Sequence, residues 1–258
     1  MEKHSQYIIK RVLEYGMLQD WNIVKQYYGL GRIVEIAKGF RELEPRALAY
    51  LSAISQTPKE QFRCYTYQRS LELLKKLQQL PVLCNTRLVG GTALALQLGH
   101  RKSVDLDFFG QINVDSQDLK EALRTLGTLT ILNDSKNIHI YVLNEVKIDI
   151  VNYTYPWLDD VVYKDGIRLA SPRDIAAMKI TAIEGRGTKK DFVDIYFLLK
   201  KYSLKNLLDF YSQKYPDSSS FMAMKSFAYF EDAEEEPMPY MFVDVSWDEI
   251  KKSILSRL

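Results

Sequence analysis

Cysteine is nearly absent from this chain: Cys64 and Cys84 are the only two in 258 residues, and no CxxC pair exists. That spacing builds neither a disulfide framework nor a structural zinc site, and it fits a reducing compartment in which both thiols are ordinary buried side chains. Histidine is equally scarce. His4, His100 and His139 stand far apart and no HExxH occurs, which excludes a histidine-rich metal centre. A Ser-His-Asp hydrolase would need a GxSxG elbow, and there is none. No apolar run approaches the roughly 18 residues of a membrane helix. The polar start Met1-Glu2-Lys3-His4-Ser5-Gln6 is no secretion signal. The expectation is a cytoplasmic protein without a membrane partner. Charge of one sign is lacking too: 35 Lys plus Arg against 33 Asp plus Glu leave +2, which on its face argues against a nucleic-acid binder.

The near-neutral average hides an uneven distribution. Residues 1–65 carry net +3, residues 66–215 net +4 and residues 216–258 net −5. A basic body is joined to an acidic tail segment. Hydrophobic residues make up 47% and charged residues 26%, an ordinary globular balance.

Residues 1–65 read as a small helical module. Tyr7, Ile8, Val12, Leu13 and Tyr15 share one helical face, and Asp20 opens a second helix through Trp21, Val24 and Tyr28. Gly29 and Gly31 interrupt before a third; Pro45 suits the first turn of a fourth, and Pro58 opens one more. Leu71, Leu74, Leu77 and Leu80 then mark an amphipathic helix over 66–79, stopped by Pro81. From there the texture alternates. Arg87-Leu88-Val89 reads as a strand, Thr92–Leu98 as a helix, Val104–Phe109 as a strand and Leu119–Leu126 as a helix. Strand-like runs follow at 129–132, 138–143 and 146–151, the last two joined by a tight turn at Asn144-Glu145. This order implies a mixed α/β sheet. Beyond residue 170 the chain is helical. Ser171 caps a helix with Pro172 at its first position, Gly185 and Gly187 break it, another covers 189–201, and Ser246-Trp247-Asp248-Glu249 opens the last.

The chemistry concentrates at Val89-Gly90-Gly91-Thr92, Ser103 and Asp105-Leu106-Asp107. Two glycines between a strand and a helix let a ligand approach backbone N–H groups at a helix N-terminus, an anion site. Asp at i and i+2 of a strand puts both carboxylates on one face. Paired carboxylates repel unless a cation sits between them, and oxygen donors suit Mg²⁺. Asp149, between Ile148 and Ile150, would add a third carboxylate if its strand neighbours that of Asp105 and Asp107, enough for two divalent ions with substrate phosphates completing the shell. Taken singly, a Gly-Gly pair is an ordinary turn and an Asp-x-Asp an ordinary solvent-facing pair; their order and spacing make the combination specific.

This constellation resembles the polymerase-β-type nucleotidyltransferases. More narrowly, Gly90–Leu96, Arg101, Ser103 and Asp105–Phe109, together with Ser171–Lys179, Arg186 and Lys190–Tyr196, resemble the AbiEii/AbiGii nucleotidyltransferase toxins of bacterial abortive-infection systems, over about residues 66–258. The resemblance implies an α+β fold: a mixed β-sheet nucleotidyltransferase core with helices on one side, flanked by N-terminal and C-terminal helical regions. The implied division is 1–65, a helical module; 66–170, the core; and 171–258, a helical subdomain. By the resemblance, Asp105, Asp107 and Asp149 bind metal and, with Lys179, form the catalytic set. Gly90, Gly91, Thr92, Ser103, Lys179, Arg186, Asp191 and Asp194 would bind the nucleotide, with the essential acid either Asp191 or Asp194. It also implies Mg²⁺, a nucleoside triphosphate as substrate, an acceptor hydroxyl such as a tRNA 3′ end, a cognate antitoxin and a role in phage defence. A transferase acting on a small aminoglycoside-like molecule and a non-catalytic toxin–antitoxin binding protein are the alternatives.

Four further readings stay at this level. Residues 168–205 hold nine basic and four acidic side chains, a patch for nucleotide or RNA phosphates. Tyr153 and Trp157 are stacking candidates, with core packing the plainer account. The run Glu231–Glu236 reads as an acidic surface loop, with shielding of the basic face as its sharper interpretation. Arg11–Gly16, Trp21, Tyr27-Tyr28-Gly29 and Phe62-Arg63-Cys64-Tyr65 resemble a small helical domain encoded beside such transferases. The module is then either a regulator fused to its enzyme or a structural cap.

Overall fold

The helical spacing of apolar residues near the N-terminus produces helices in the computed structural model, which describes residues 4–40, 43–62 and 65–258, without the side chains of 45, 60 and 65–69. Helices α1 (Ser5–Tyr15), α2 (Leu18–Tyr28), α3 (Leu30–Lys38) and α4 (Pro45–Ser55) bury Ile9, Trp21, Val24, Ile33, Leu48 and Leu51 in one cluster. Gly29 joins α2 to α3 at φ +73°, where a side chain would be strained. After Pro58 a single 3₁₀ turn, Lys59–Gln61, stands where a helix was expected. Arg63 and Cys64 of the Phe62–Tyr65 motif lie outside the described residues. Cys84 is exposed, not buried as expected.

The chain divides into two compact units, Met1–Glu72 and Leu73–Leu258. The division falls within α5 (Tyr65–Gln79), later than residue 65, and residue 170 lies inside the second unit.

The second unit is mixed α/β, built on a seven-stranded sheet. Its strands are β1 (Thr86–Leu88), β2 (Leu106–Gly110), β3 (Leu129–Asp134), β4 (Ile138–Leu143), β5 (Val146–Asn152), β6 (Val162–Lys164) and β7 (Ile167–Leu169), in the order β3-β4-β5-β2-β1-β7-β6. Strand β2 runs parallel to β5 and β1 parallel to β7, while the other neighbours are antiparallel. Alternation sorts the side chains: Leu106, Phe108, Ile148 and Ile150 are fully buried on one face, leaving Asp107 and Asp149 on the other. The β4–β5 turn places Asn144 and Glu145 at φ +50° and +68°, the conformation of a two-residue hairpin without glycine.

Strands β6 and β7 were not expected from the sequence. Their signal is the turn Asp165-Gly166, with φ +52° and +77°, between two short apolar runs. The expected strand over 104–109 begins instead at Leu106, so Asp105 precedes the ladder. The reason is tertiary. Loop 99–105 is held by backbone bonds from Lys102 N–H to Tyr240 and from Phe242 N–H to His100, at 2.8 and 2.9 Å, and by the Thr92 hydroxyl on the Asp105 carbonyl.

Around the sheet stand α6 (Gly90–Leu98), α7 (Ser116–Arg124), α8 (Pro172–Gly185), α9 (Lys189–Leu199), α10 (Leu204–Lys214), α11 (Ser220–Ser226), α12 (Glu231–Glu234) and α13 (Trp247–Leu255). Ser171 caps α8 through the Asp174 N–H, and Pro172 occupies the first turn. The acidic run is in part helical: α12 contains Glu231–Glu234, and Glu236 accepts from the Lys189 N–H at the start of α9. Among the described residues no helix is long and apolar enough to cross a membrane.

Candidate active site

Strand β1 ends at Leu88, and Val89 N–H bonds to the Asp107 carbonyl at 2.8 Å, which brings the following glycines over β2. Gly90 adopts φ +68°, and a Cβ there would overlap the Asp107 carboxylate. A Cβ on Gly91 would overlap the Arg101 guanidinium. Each glycine therefore permits a charged group to approach the backbone.

Asp107 and Asp149 face each other as register partners in the parallel β2–β5 pair. One oxygen of Asp149 accepts from Lys147 Nζ at 2.7 Å, while its buried Oδ1 has no hydrogen-bond partner. Burial, then the charges of Asp149 and Asp105, push Asp107 up to about 6. A hard cation would relieve both conditions, since it supplies a partner for Asp149 Oδ1 and neutralises the crowded carboxylates, so the donors fit Mg²⁺. Among the described residues, however, no three Asp, Glu, His or Cys side chains converge closely enough to hold an ion by themselves. Asp105 precedes the ladder, so strand alternation does not set it beside Asp107 as the sequence suggested.

Lys179 reaches this end of the cleft from the middle of α8. Its ammonium is buried and bonds Asp191 at 2.8 Å and Asp194 at 2.6 Å. Burial alone would lower its pKa, but the two carboxylates outweigh that and raise it. Asp194 also takes His100 Nε2 at 2.8 Å and a two-pronged contact from Arg101 at 2.7 and 2.8 Å. Asp191 also takes Arg186 at 3.0 Å and the Thr188 hydroxyl. Burial opposes their charge, yet these cations hold Asp191 down to about 2 and depress Asp194 further.

The cleft encloses about 710 Å³, lined at its charged end by Gly90, Asp107, Asp149, Lys179 and Arg186. The other expected site residues are not among its lining. Asp191 and Asp194 are fully buried and engage cations. Thr92 bonds Ser103 at 2.9 Å and the Asp105 carbonyl, fixing the loop rather than lining the cleft. The expected basic surface of 168–205 is partly consumed inside the fold: Lys179 pairs as above, Arg173 pairs with Asp159 at 2.7 Å, and buried Lys189 bonds the Glu234 carbonyl. Trp157 lies between Arg87 and Lys214, at 4.3 and 4.5 Å from its ring centre, whereas Tyr153 lines the cleft. The roles of His100 and Arg101 in holding Asp194 were not read from the sequence, because nothing local links them to a helix 93 residues away.

Residues 72–256 match the family described as nucleotidyl transferase AbiEii toxin, type IV toxin–antitoxin system, and residues 1–37 match a family of unknown function, DUF6922. An uncharacterized protein of Aquifex aeolicus (strain VF5) is 36% identical over 187 residues, covering 70% of this chain and 90% of that one. Among solved structures, MenT4, a nucleotidyltransferase toxin of Mycobacterium tuberculosis, aligns with a TM-score of 0.48 at 14% identity over 82% of this chain and 90% of its own. The Megavirus polyadenylate synthase aligns with 0.42 at 18% identity, over 73% of this chain and 39% of its own. With the family match spanning most of its length, the chain belongs to the AbiEii nucleotidyl transferase toxin family and is a nucleotidyltransferase.

Proposed function

We propose that this enzyme transfers a nucleoside monophosphate from a nucleoside triphosphate to an acceptor hydroxyl, with an RNA such as a tRNA 3′ end as the acceptor. The observation that carries the reading is the placement of Asp107 opposite Asp149, beside Gly90 and Lys179, in one cleft. Asp107 and Asp149, with Asp105 at the entrance to the strand, would hold Mg²⁺, which when bound neutralises the triphosphate and polarises its α-phosphorus. The Gly90 backbone gives the phosphates a close approach. Two of the three Lys179 N–H groups are committed to Asp191 and Asp194, which fixes the ammonium and aims the third at a phosphate oxygen. Asp191 and Asp194 act through that lysine as positioning residues. Arg186, more than half exposed at the cleft, supplies further positive charge. The acceptor oxygen attacks the α-phosphorus, its proton passes to the Asp149 carboxylate, and the bond to the β-phosphate breaks to release pyrophosphate. The toxin–antitoxin family supports a cognate antitoxin as partner, and the reading extends to a cytoplasmic setting and a phage-defence role.

The test is incubation with labelled triphosphates, Mg²⁺ and total RNA. Wild type is expected to label RNA, and Asp107→Ala to lose at least 100-fold in rate, on the order expected for removing a preorganised electrostatic group. No transfer to RNA would refute the acceptor, and equal transfer by the variant would move the site.

A further inference from the structure

Away from the carboxylates the cleft changes character. Phe109 follows Asp107, and Val151 and Tyr153 follow Asp149, on the same sheet face, with Tyr153 N–H still paired to the Gly110 carbonyl at 2.9 Å. Tyr153 therefore stands about 13 Å along the strand from Asp149. There the cleft is walled by tyrosines, three of which have committed hydroxyls. Tyr153 and Tyr215 bond each other at 2.8 Å, and Tyr211 donates to Glu184. Tyr155 rests on this group, 5.4 Å from the ring centre of Tyr153 and 4.9 Å from that of Tyr215, and is 50% exposed. Beside it the chain leaves α10 through Pro216, exposed Asp217 and Ser218, all lining the same cleft.

We infer that this tyrosine-walled end holds the nucleobase, with Tyr155 as its stacking surface and Asp217 reading its edge in favour of bases that carry an exocyclic amine. The inference rests on the nucleotidyl-transfer reading. With the triphosphate at the charged end, the base must lie one nucleoside length away, and the aromatic wall begins at that reach. Every base has a π-face, so Tyr155 contributes affinity without choosing among bases. The choice falls to Asp217. A carboxylate only accepts hydrogen bonds; adenine, cytosine and guanine each offer an exocyclic amino group, whereas uracil offers a lone N3–H flanked by two carbonyl oxygens that repel it.

Calorimetric titration of the full chain with ATP, CTP, GTP, UTP and inorganic tripolyphosphate, in Mg²⁺, tests this. UTP is expected to bind about tenfold more weakly than the other three. Tyr155→Ala should weaken ATP, CTP and GTP by roughly tenfold and leave tripolyphosphate unchanged, which also shows that the variant is folded. Tyr155→Phe should restore binding, and Asp217→Asn, which adds an amide donor, should narrow the gap to UTP. The inference is overturned if wild type binds UTP as tightly as ATP, if Tyr155→Ala changes nothing, or if it weakens tripolyphosphate equally. Base-dependent binding without label transfer to any acceptor would sink the transferase reading and leave the base site standing; transfer with base-independent binding would do the reverse.

Discussion

Asp107 has one carboxylate across the strand pair at Asp149 and another two residues back at Asp105, and burial with these charges pushes it up to about 6. In an unfolded chain an Asp titrates near 3.9. Between these values the folded state binds the additional proton, so folding is favoured below about pH 4 and this contribution is lost as pH rises through 6. The metal-free protein is thus expected to gain stability on acidification from pH 7 to 5, by about 1.4 kcal/mol, one pKa unit's worth. Urea unfolding in a chelator across that range measures it. Asp107→Asn should flatten the profile, and an unchanged slope would show that Asp107 is not the group responsible.

At the scale of elements, α8 and α9 are joined to the loop after α6 through buried charge. Lys179, Arg101 and His100 meet on Asp194, with side chains between 0 and 6% exposed. Removing one partner from such a group leaves uncompensated charge away from water. Asp194→Ala is expected to cost about 3–5 kcal/mol of stability, read as a lower urea midpoint. Asp194→Asn keeps the shape and should cost less while still lowering transfer, because Lys179 loses one of the two anions that aim it. A variant as stable as wild type would show that the cluster is dispensable to the fold.

For the whole molecule, each unit has its own hydrophobic core, and the first is assembled from residues between Ile9 and Phe62. The region matched to the transferase family lies almost wholly in the second unit. A chain beginning at Tyr65, which keeps α5 intact, is expected to unfold cooperatively and to retain nucleotide transfer. Circular dichroism through a thermal ramp, with the label assay, decides this. A non-cooperative melt would make the N-terminal module part of the fold, and a more active truncation would make it a restraint on the enzyme.

The sequence by itself determined the elements whose signals are local. Ser171-Pro172 starts α8 because a cap and a fixed φ need only neighbouring residues, and the alternation around Asp107 and Asp149 fixes which face each carboxylate takes. The Gly90-Gly91 turn was legible for the same reason. Tertiary structure alone decided the pairing of β2 with β5, which sets two distant aspartates opposite each other. It also withdrew Asp105 from the ladder, because that depends on backbone bonds to residues 240–242. Asp191 and Asp194 show the same limit most clearly. Their spacing on α9 was visible, but whether they face a nucleotide or a lysine depends on which charges fold against them, and a buried carboxylate must take the cations that arrive with it.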